Sequence, residues 1–552
     1  MKRRLAIALD LGTSGFRAQA LDLASSEVIS TVITTRHPLP GANVIDHLHF
    51  ALELGVESAR DLMLQAINQL LQRLQVSLGD VVRLAVCGNP TQLSLLQGME
   101  IRDLAYAGSR KLHTLGVTAP ERTASVYSAA ALPGLALSSN CDILIPPAIH
   151  DQVGADALAL IIQSGIRDCS ETSIAIDYGT NAEMALFHQG HFYTGSASAG
   201  PALEGQHISC GSLAMPGTIT DLKMEGPYHR LQVLDEEMLP ATGALIDLRL
   251  AGELVESSDR EAISITGTGV IAALDQALSD GIITPPNIHT IDGQLHFGHK
   301  IYLNETDLGE AGKAIGAIRA GYVTLALEAG IVPSEIQTAY LAGASGTYVD
   351  ARKSGRLGLI PPAVHRVMQV GNTSLAMARE LALTPSRLDE MSDLARALRH
   401  NHTLFAKSKS FAKLFLLKLS RWTEGMPTTT YREMLQRFNL PDLPPMDSIA
   451  EIVQTVQRDI DVTGKHGLKT LHSIGKTVEL QLQGCHSCLK CIQTCPTQAI
   501  TIDTTSQPAT ISMAHALCNG VACRRCEPVC EPKVFHLNAF FNPARVAVSE
   551  EA

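Results

Sequence analysis

The sequence predicts an α/β protein of two similar lobes that ends in a small, cysteine-rich α+β module. Three observations carry this expectation. A short apolar strand pattern followed by an Asp-x-Gly-Thr turn occurs twice, at Asp10 and again at Asp177. Around those turns, β-rich runs alternate with segments whose apolar residues recur at helical spacing, the mark of helices covering mixed sheets. Eight of the twelve cysteines fall between Cys485 and Cys530, in two regularly spaced runs.

In chain order, residues 4–10 form a buried strand, and Leu11-Gly12-Thr13-Ser14-Gly15 turns it into a hairpin toward Phe16–Leu23. Gly12 and Gly15 let backbone N–H groups approach a phosphate, Thr13 and Ser14 add hydroxyl donors, and Asp10 is placed to hold a hydrated magnesium ion. Taken alone, such a turn is as common in structural hairpins. Phe50–Leu74 carries apolar residues at helical spacing, and the strand Val81–Val86 ends in the turn Cys87-Gly88-Asn89-Pro90. Asp156–Ile166 and Ala311–Gly330 are expected to be helices.

The second copy strengthens the first: strand Ser173–Asp177, the turn Tyr178-Gly179-Thr180-Asn181, then strand Ala182–Phe187. Two such hairpins imply a duplicated clamp holding a nucleotide in a cleft. Thr338–Ala342 leads into Gly343-Ala344-Ser345-Gly346, a small-residue turn that admits an adenosine, although helix packing explains such a turn equally. Ala199-Gly200-Pro201-Ala202 and Gly267-Thr268-Gly269 are further candidate cleft turns. Glu204 is placed to orient an attacking water, with a solvated surface acid as the competing reading; Glu183 is in the same position.

From about His400 the character changes. Phe405, Phe411, Leu414, Phe415 and Leu417 form an apolar stripe beside Lys407, Lys409, Lys413, Lys418 and Arg421. Packing on its own domain is the commoner fate of such a helix, and docking to an acidic partner or a membrane surface is the other. Leu440–Pro445 is a proline-rich connector, and a helix is expected near Ser448–Ile460. The expected divisions are 1–170, 171–337, 338–400, 401–470 and 471–552.

The cysteine runs are C-x2-C-x2-C-x3-C-P from Cys485 and C-x4-C-x2-C-x3-C from Cys518. The first is the bacterial two-cluster ferredoxin spacing, in which the fourth cysteine ligates the other cluster. On that rule Cys485, Cys488, Cys491 and Cys530 hold one [4Fe-4S] centre, and Cys495, Cys518, Cys523 and Cys526 the other. Zinc is the alternative that C-x2-C pairs allow, disfavoured by the triplets with a trailing Cys-Pro. The second run departs from the standard form at the widened Cys518–Cys523 spacing. Cys87, Cys141, Cys169 and Cys210 are isolated and expected to be buried thiols.

A net charge of −11 argues against general affinity for nucleic acid or anionic lipid. No apolar run reaches membrane-spanning length, and the start of the chain has no signal-peptide pattern, so the cytoplasm is the expected location.

The segments Ala8–Thr13, Cys87–Thr91, Ile176–Glu183, Ser198–Gly205, Tyr340–Gly346 and Gly371–Leu375 together resemble the ATP-dependent reductive activators of corrinoid proteins. These belong to the acetate and sugar kinase, Hsp70 and actin (ASKHA) superfamily. The resemblance covers roughly residues 4–390. It implies ATP with Mg2+ at Gly12, Thr13, Ser14, Gly179, Thr180, Asn181 and Gly343–Gly346, catalytic roles for Asp10, Asp177 and Glu204, and a ferredoxin-like tail. It further implies reduction of Co(II) to Co(I) on a methyltransferase corrinoid protein, with electrons from an upstream donor. The two C-terminal clusters match the methylamine branch. An ATP-driven donor to a radical dehydratase or reductase, and a nucleotide-dependent docking module without catalysis, are the alternatives.

Overall fold

The computed structural model describes residues 4–541 except 107, 151–152, 252, 299, 447, 473 and 522. The chain divides into two compact units, one of Met1–Pro147, Ala378–Leu388 and Thr463–Ala552, the other of Ala148–Met377 and Asp389–Val462.

The first unit is built on a seven-stranded sheet. Its order is 468–471, 28–34, 16–22, 5–11, 81–88, 142–145, 125–128. Leu5–Leu11 is buried on both faces, which is why Leu5–Leu9 reads as an unbroken apolar run rather than an alternating one. It pairs antiparallel with Phe16–Asp22 and parallel with Val81–Gly88. Phe50–Leu74 is not one helix: Gly55, at φ +103°, divides Val44–Leu54 from Val56–Arg73. A positive φ breaks the helical hydrogen-bond ladder that the apolar spacing would otherwise extend. Within the same unit, strands 477–481, 510–514 and 500–503 form a small antiparallel sheet. Val478, Ile511, Met513, Phe535 and Phe540 fill its core around the cysteine runs.

The second unit repeats the scheme. Its six-stranded sheet runs 451–454, 366–371, 338–342, 173–177, 181–188, 191–198. Again three strands meander antiparallel and the first of them continues into parallel neighbours. The expected helix at Ser448–Ile460 is instead an edge strand, Glu451–Gln454, paired parallel to Arg366–Gln369. An open sheet edge supplied the backbone partners, and local apolar spacing could not foresee them.

The basic segment packs within this unit. Helix Lys409–Thr423 lies along Glu305–Glu328, where Gly312 gives way to Trp422: a Cβ there would come within 2.4 Å of the Trp422 side chain. Phe405 stands over Gly195 in the same manner. Lys407, Lys409 and Lys413 remain exposed. Among the described residues no helix is long and apolar enough to cross a membrane.

Candidate functional site

In the first unit, the turn after Leu5–Leu11 is closed by glycine. A Cβ on Gly12 would lie 2.8 Å from Gly15 O and 3.3 Å from Arg17 Nη1. Asp10 is 4% exposed and accepts from Arg17 Nη1 at 3.4 Å, its directly opposed neighbour across the hairpin. Thr13 Oγ1 accepts from Asn89 Nδ2 at 2.9 Å. Asn89 also caps helix Pro90–Gln97 through its Oδ1, so the expected turn at 87–90 is a strand end and a helix cap at once.

In the second unit, Asp177 ends its strand in register with Ala342 of Thr338–Ala342. Gly343 follows at φ +77°, and a Cβ there would meet Asp177 Oδ1 at 2.4 Å. The small-residue turn and the second Asp-x-Gly-Thr turn are thus in contact, with Ala344–Gly346 opening the short helix Gly343–Tyr348. Ser345 Oγ donates to Leu203 O at 2.5 Å, and Gly267 is so close to the same residue that a Cβ would overlap the Leu203 carbonyl. Gly267–Gly269 is the first turn of helix Gly267–Ser279, capped by Thr266. Glu204 is not a solvated surface acid. Its Oε2 accepts from the Thr180 backbone N–H at 3.0 Å and from the Thr180 hydroxyl. Thr180 O accepts from Gly200 N–H at 3.0 Å, bringing the Ala199–Ala202 turn onto the same place. Burial, then the charges of Asp156 and Asp177, hold the Glu183 carboxyl well above the ordinary carboxylate range. Gly179 and Asn181 complete the turn beside these groups, with Asn181 opening strand Asn181–His188.

The cysteine runs fold against each other. Cys495, Cys518, Cys523 and Cys526 line one pocket, partly open to solvent, with Ile500 and Met513 behind them. Cys495 comes from the first run and the other three from the second. Ala499 N–H points at Cys495 Sγ at 3.3 Å and Gly520 N–H at Cys518 Sγ at 3.4 Å, the backbone donors that stabilise sulfur carrying negative charge. Cys485, Cys488 and Cys491 share the other loop, and an ion pair from Lys490 to Glu531 ties it to the residue after Cys530. Among the described residues no three His, Cys, Asp or Glu side chains close tightly enough to hold a single metal ion. Burial pushes Cys518 and Cys526 up to about 12, so the bare thiols are protonated at neutral pH and a bound cation is what would release those protons.

Of the isolated cysteines, Cys87 and Cys141 are buried as expected. Cys169 and Cys210 are only half-buried.

A curated protein of Methanosarcina barkeri, "[Co(II) methylated amine-specific corrinoid protein] reductase", is 47% identical over 497 residues, 90% of this chain and 92% of that protein. The chain belongs to the family of corrinoid-protein reductive activators. Two models of this family match it: the RACo middle region over residues 5–168, and the C-terminal ASKHA domain of RACo over residues 171–432. "Corrinoid activation enzyme RamQ" of Eubacterium limosum is 22% identical, over 64% of this chain and 60% of that protein. The solved "Reductive activator for corrinoid,iron-sulfur protein" superposes with a TM-score of 0.64 at 23% identity, covering 76% of this chain and 66% of that one. The α/β ASKHA fold expected from the duplicated turns is therefore the fold of this activator.

Several groups of the activator escaped the sequence reading. Arg17 could have been found from the hairpin register, which sets it opposite Asp10. His37, His47 and Gln92 carry no shared spacing, and Arg524 was hidden by its neighbouring thiols.

Proposed function

We propose that this chain uses ATP hydrolysis to drive reduction of a corrinoid protein from inactive Co(II) to Co(I), in support of methylamine-dependent methyl transfer. The observation that carries the reading is the 47% identity along nearly the full length to an enzyme named for that reaction, joined to eight cysteines in two spaced runs.

Asp10 and Asp177 are the proposed magnesium-facing carboxylates, and Gly12, Thr13, Ser14, Gly179, Thr180 and Asn181 the phosphate donors. Gly343–Gly346 take the adenosine. Glu204 fixes the Thr180 amide and hydroxyl, so it orients the donors of that turn as well as being the nearest candidate to align water. Overall, ATP and water give ADP and phosphate while one electron passes from an upstream donor to cobalt. Only a different affinity for the acceptor's two forms converts hydrolysis into that uphill transfer.

Cys485, Cys488, Cys491 and Cys530 would hold one [4Fe-4S] cluster and Cys495, Cys518, Cys523 and Cys526 the second. When bound, these groups supply one-electron transfer at low potential. The backbone N–H groups of Ala499 and Gly520 donate to the Cys495 and Cys518 sulfurs. We place the protein in the cytoplasm, acting on a soluble corrinoid partner.

The test is anaerobic spectroscopy of the Co(II) to Co(I) change in a methylamine-type corrinoid protein, with a chemical reductant and with or without ATP. ATP-dependent appearance of Co(I) is expected. Reduction at the same rate without ATP would refute the coupling.

A further inference from the structure

Three polar side chains are buried in the lobe of the first phosphate turn, and neither its sheet nor its helices require them. Gln92 and His47 are fully buried and His37 is 4% exposed. Gln92 uses both ends of its amide: Oε1 lies 3.0 Å from His37 Nε2, and Nε2 lies 2.8 Å from His47 Nδ1. Leu39 N–H donates to His37 Nδ1 at 3.0 Å, which fixes the protons. His37 therefore donates from Nε2 to the Gln92 carbonyl, and the Gln92 amide donates to His47. The two imidazoles stack at 4.0 Å. Apolar side chains would fill this space without desolvating polar groups, so the network is an expense that packing alone does not explain.

One end of the network is the phosphate turn. Asn89 donates to Thr13 and accepts from Gln92 N–H, and Phe16, directly after the turn, stands edge-on to His37 at 4.9 Å. The other end is the cysteine module. Gly41, whose backbone faces the His47 ring, donates its N–H to the Cys518 carbonyl at 2.9 Å. On the helix that bears His47, Glu53 accepts from Asn538 Nδ2 at 2.7 Å and from Arg524, which sits between Cys523 and Cys526. Phe50 of that helix meets Phe541 edge-on at 5.1 Å.

We propose that Gln92, held between His37 and His47, is the positioning residue through which nucleotide at the Thr13 turn and the charge on the group held by Cys495, Cys518, Cys523 and Cys526 sense one another. This rests on the function proposed above. A phosphate that draws Thr13 moves Asn89, which caps Gln92, which aligns the helix and loop that carry the contacts to Cys518 and Arg524. Linkage makes the effect reciprocal: nucleotide shifts the reduction potential by the factor through which reduction shifts nucleotide affinity.

The experiment measures the Kd of a non-hydrolysable ATP analogue on the full-length, iron-loaded protein, oxidised and then reduced with titanium(III) citrate. Wild type should show a difference of about fivefold or more, and Gln92→Met, with iron content and electron paramagnetic resonance signals unchanged, a difference within about twofold. An undiminished difference in Gln92→Met overturns the link, as does equal affinity in the two states of wild type. Absence of iron or of analogue binding in wild type refutes the underlying function instead. Should Gln92→Met fail to fold, amide hydrogen exchange of wild type decides. Residues 37–43 and 516–520 are expected to change protection together when the analogue binds, and no change at 516–520 overturns the proposal.

Discussion

Glu204 Oε2 accepts from the backbone N–H of Thr180 at 3.0 Å, so a carboxylate from one turn holds the amide of the second Asp-x-Gly-Thr turn beside it. Thr180 is only 2% exposed, and water is a poor substitute for that acceptor. Glu204→Ala should therefore cost about 1–3 kcal/mol of stability together with nucleotide affinity, and Glu204→Gln, which keeps an acceptor oxygen, less than half of that. Thermal unfolding with and without ATP measures both. An alanine variant that melts with wild type would rule out the holding role.

At Gly343 the left-handed φ of +77° and the 2.4 Å approach of a would-be Cβ to Asp177 Oδ1 act together. Gly343→Ala must either strain its backbone, at roughly 1–2 kcal/mol, or displace Asp177. ATP-dependent turnover should fall about tenfold or more with iron content intact, since about 1.4 kcal/mol corresponds to that factor. Normal turnover in this variant would show that the turn and Asp177 do not act together.

These two sites show what could be read in the sequence and what could not. Both Asp-x-Gly-Thr turns and the glycine turn were legible because a strand end followed by small residues is a local pattern, confined to a few consecutive positions. The two cysteine runs were legible because their spacing is also a local pattern, and the fold sets Cys495 beside Cys518, Cys523 and Cys526. The partners of these groups were not. Glu204 lies 24 residues from Thr180, and His37 lies 55 from Gln92. Only the fold brings them together, and no periodicity marks them. The edge strand Glu451–Gln454 was missed for the same reason, since its hydrogen bonds belong to Arg366–Gln369.

The buried imidazoles predict an acid-labile lobe. Burial lowers His47 from 6.5 to about 3 and His37 well below its ordinary value. The unfolded chain takes up these protons near pH 6.5 and the folded one does not, so folding loses stability as pH falls from there. Each neutral imidazole contributes a slope of about 1.4 kcal/mol per pH unit, levelling only near its folded value. Glu183, raised by burial, acts in the opposite sense, so the comparison must be between variants. Urea midpoints at pH 7, 6 and 5 should fall less steeply for His47→Asn than for wild type, by about one proton. Parallel curves would mean that His47 is protonated in the fold.

The cysteine cavity gives the sharpest test of the metal module, because crossed and uncrossed ligation pair different cysteines. Wild type prepared anaerobically should hold about eight irons per chain, four for each set of four thiols. In crossed ligation, Cys495→Ala damages the same cluster as Cys518→Ala, since all four thiols of that set line one cavity. Cys530→Ala then damages the cluster of Cys485, whose loop is tied to Glu531 by Lys490. Electron paramagnetic resonance of the reduced variants distinguishes the outcomes. Cys495→Ala and Cys518→Ala should leave one residual signal, and Cys485→Ala and Cys530→Ala the other. If Cys495→Ala matched Cys485→Ala instead, each run would hold its own cluster and the walls of the cavity would not be its ligands. Zinc in place of iron in all of them would remove electron transfer from the module altogether.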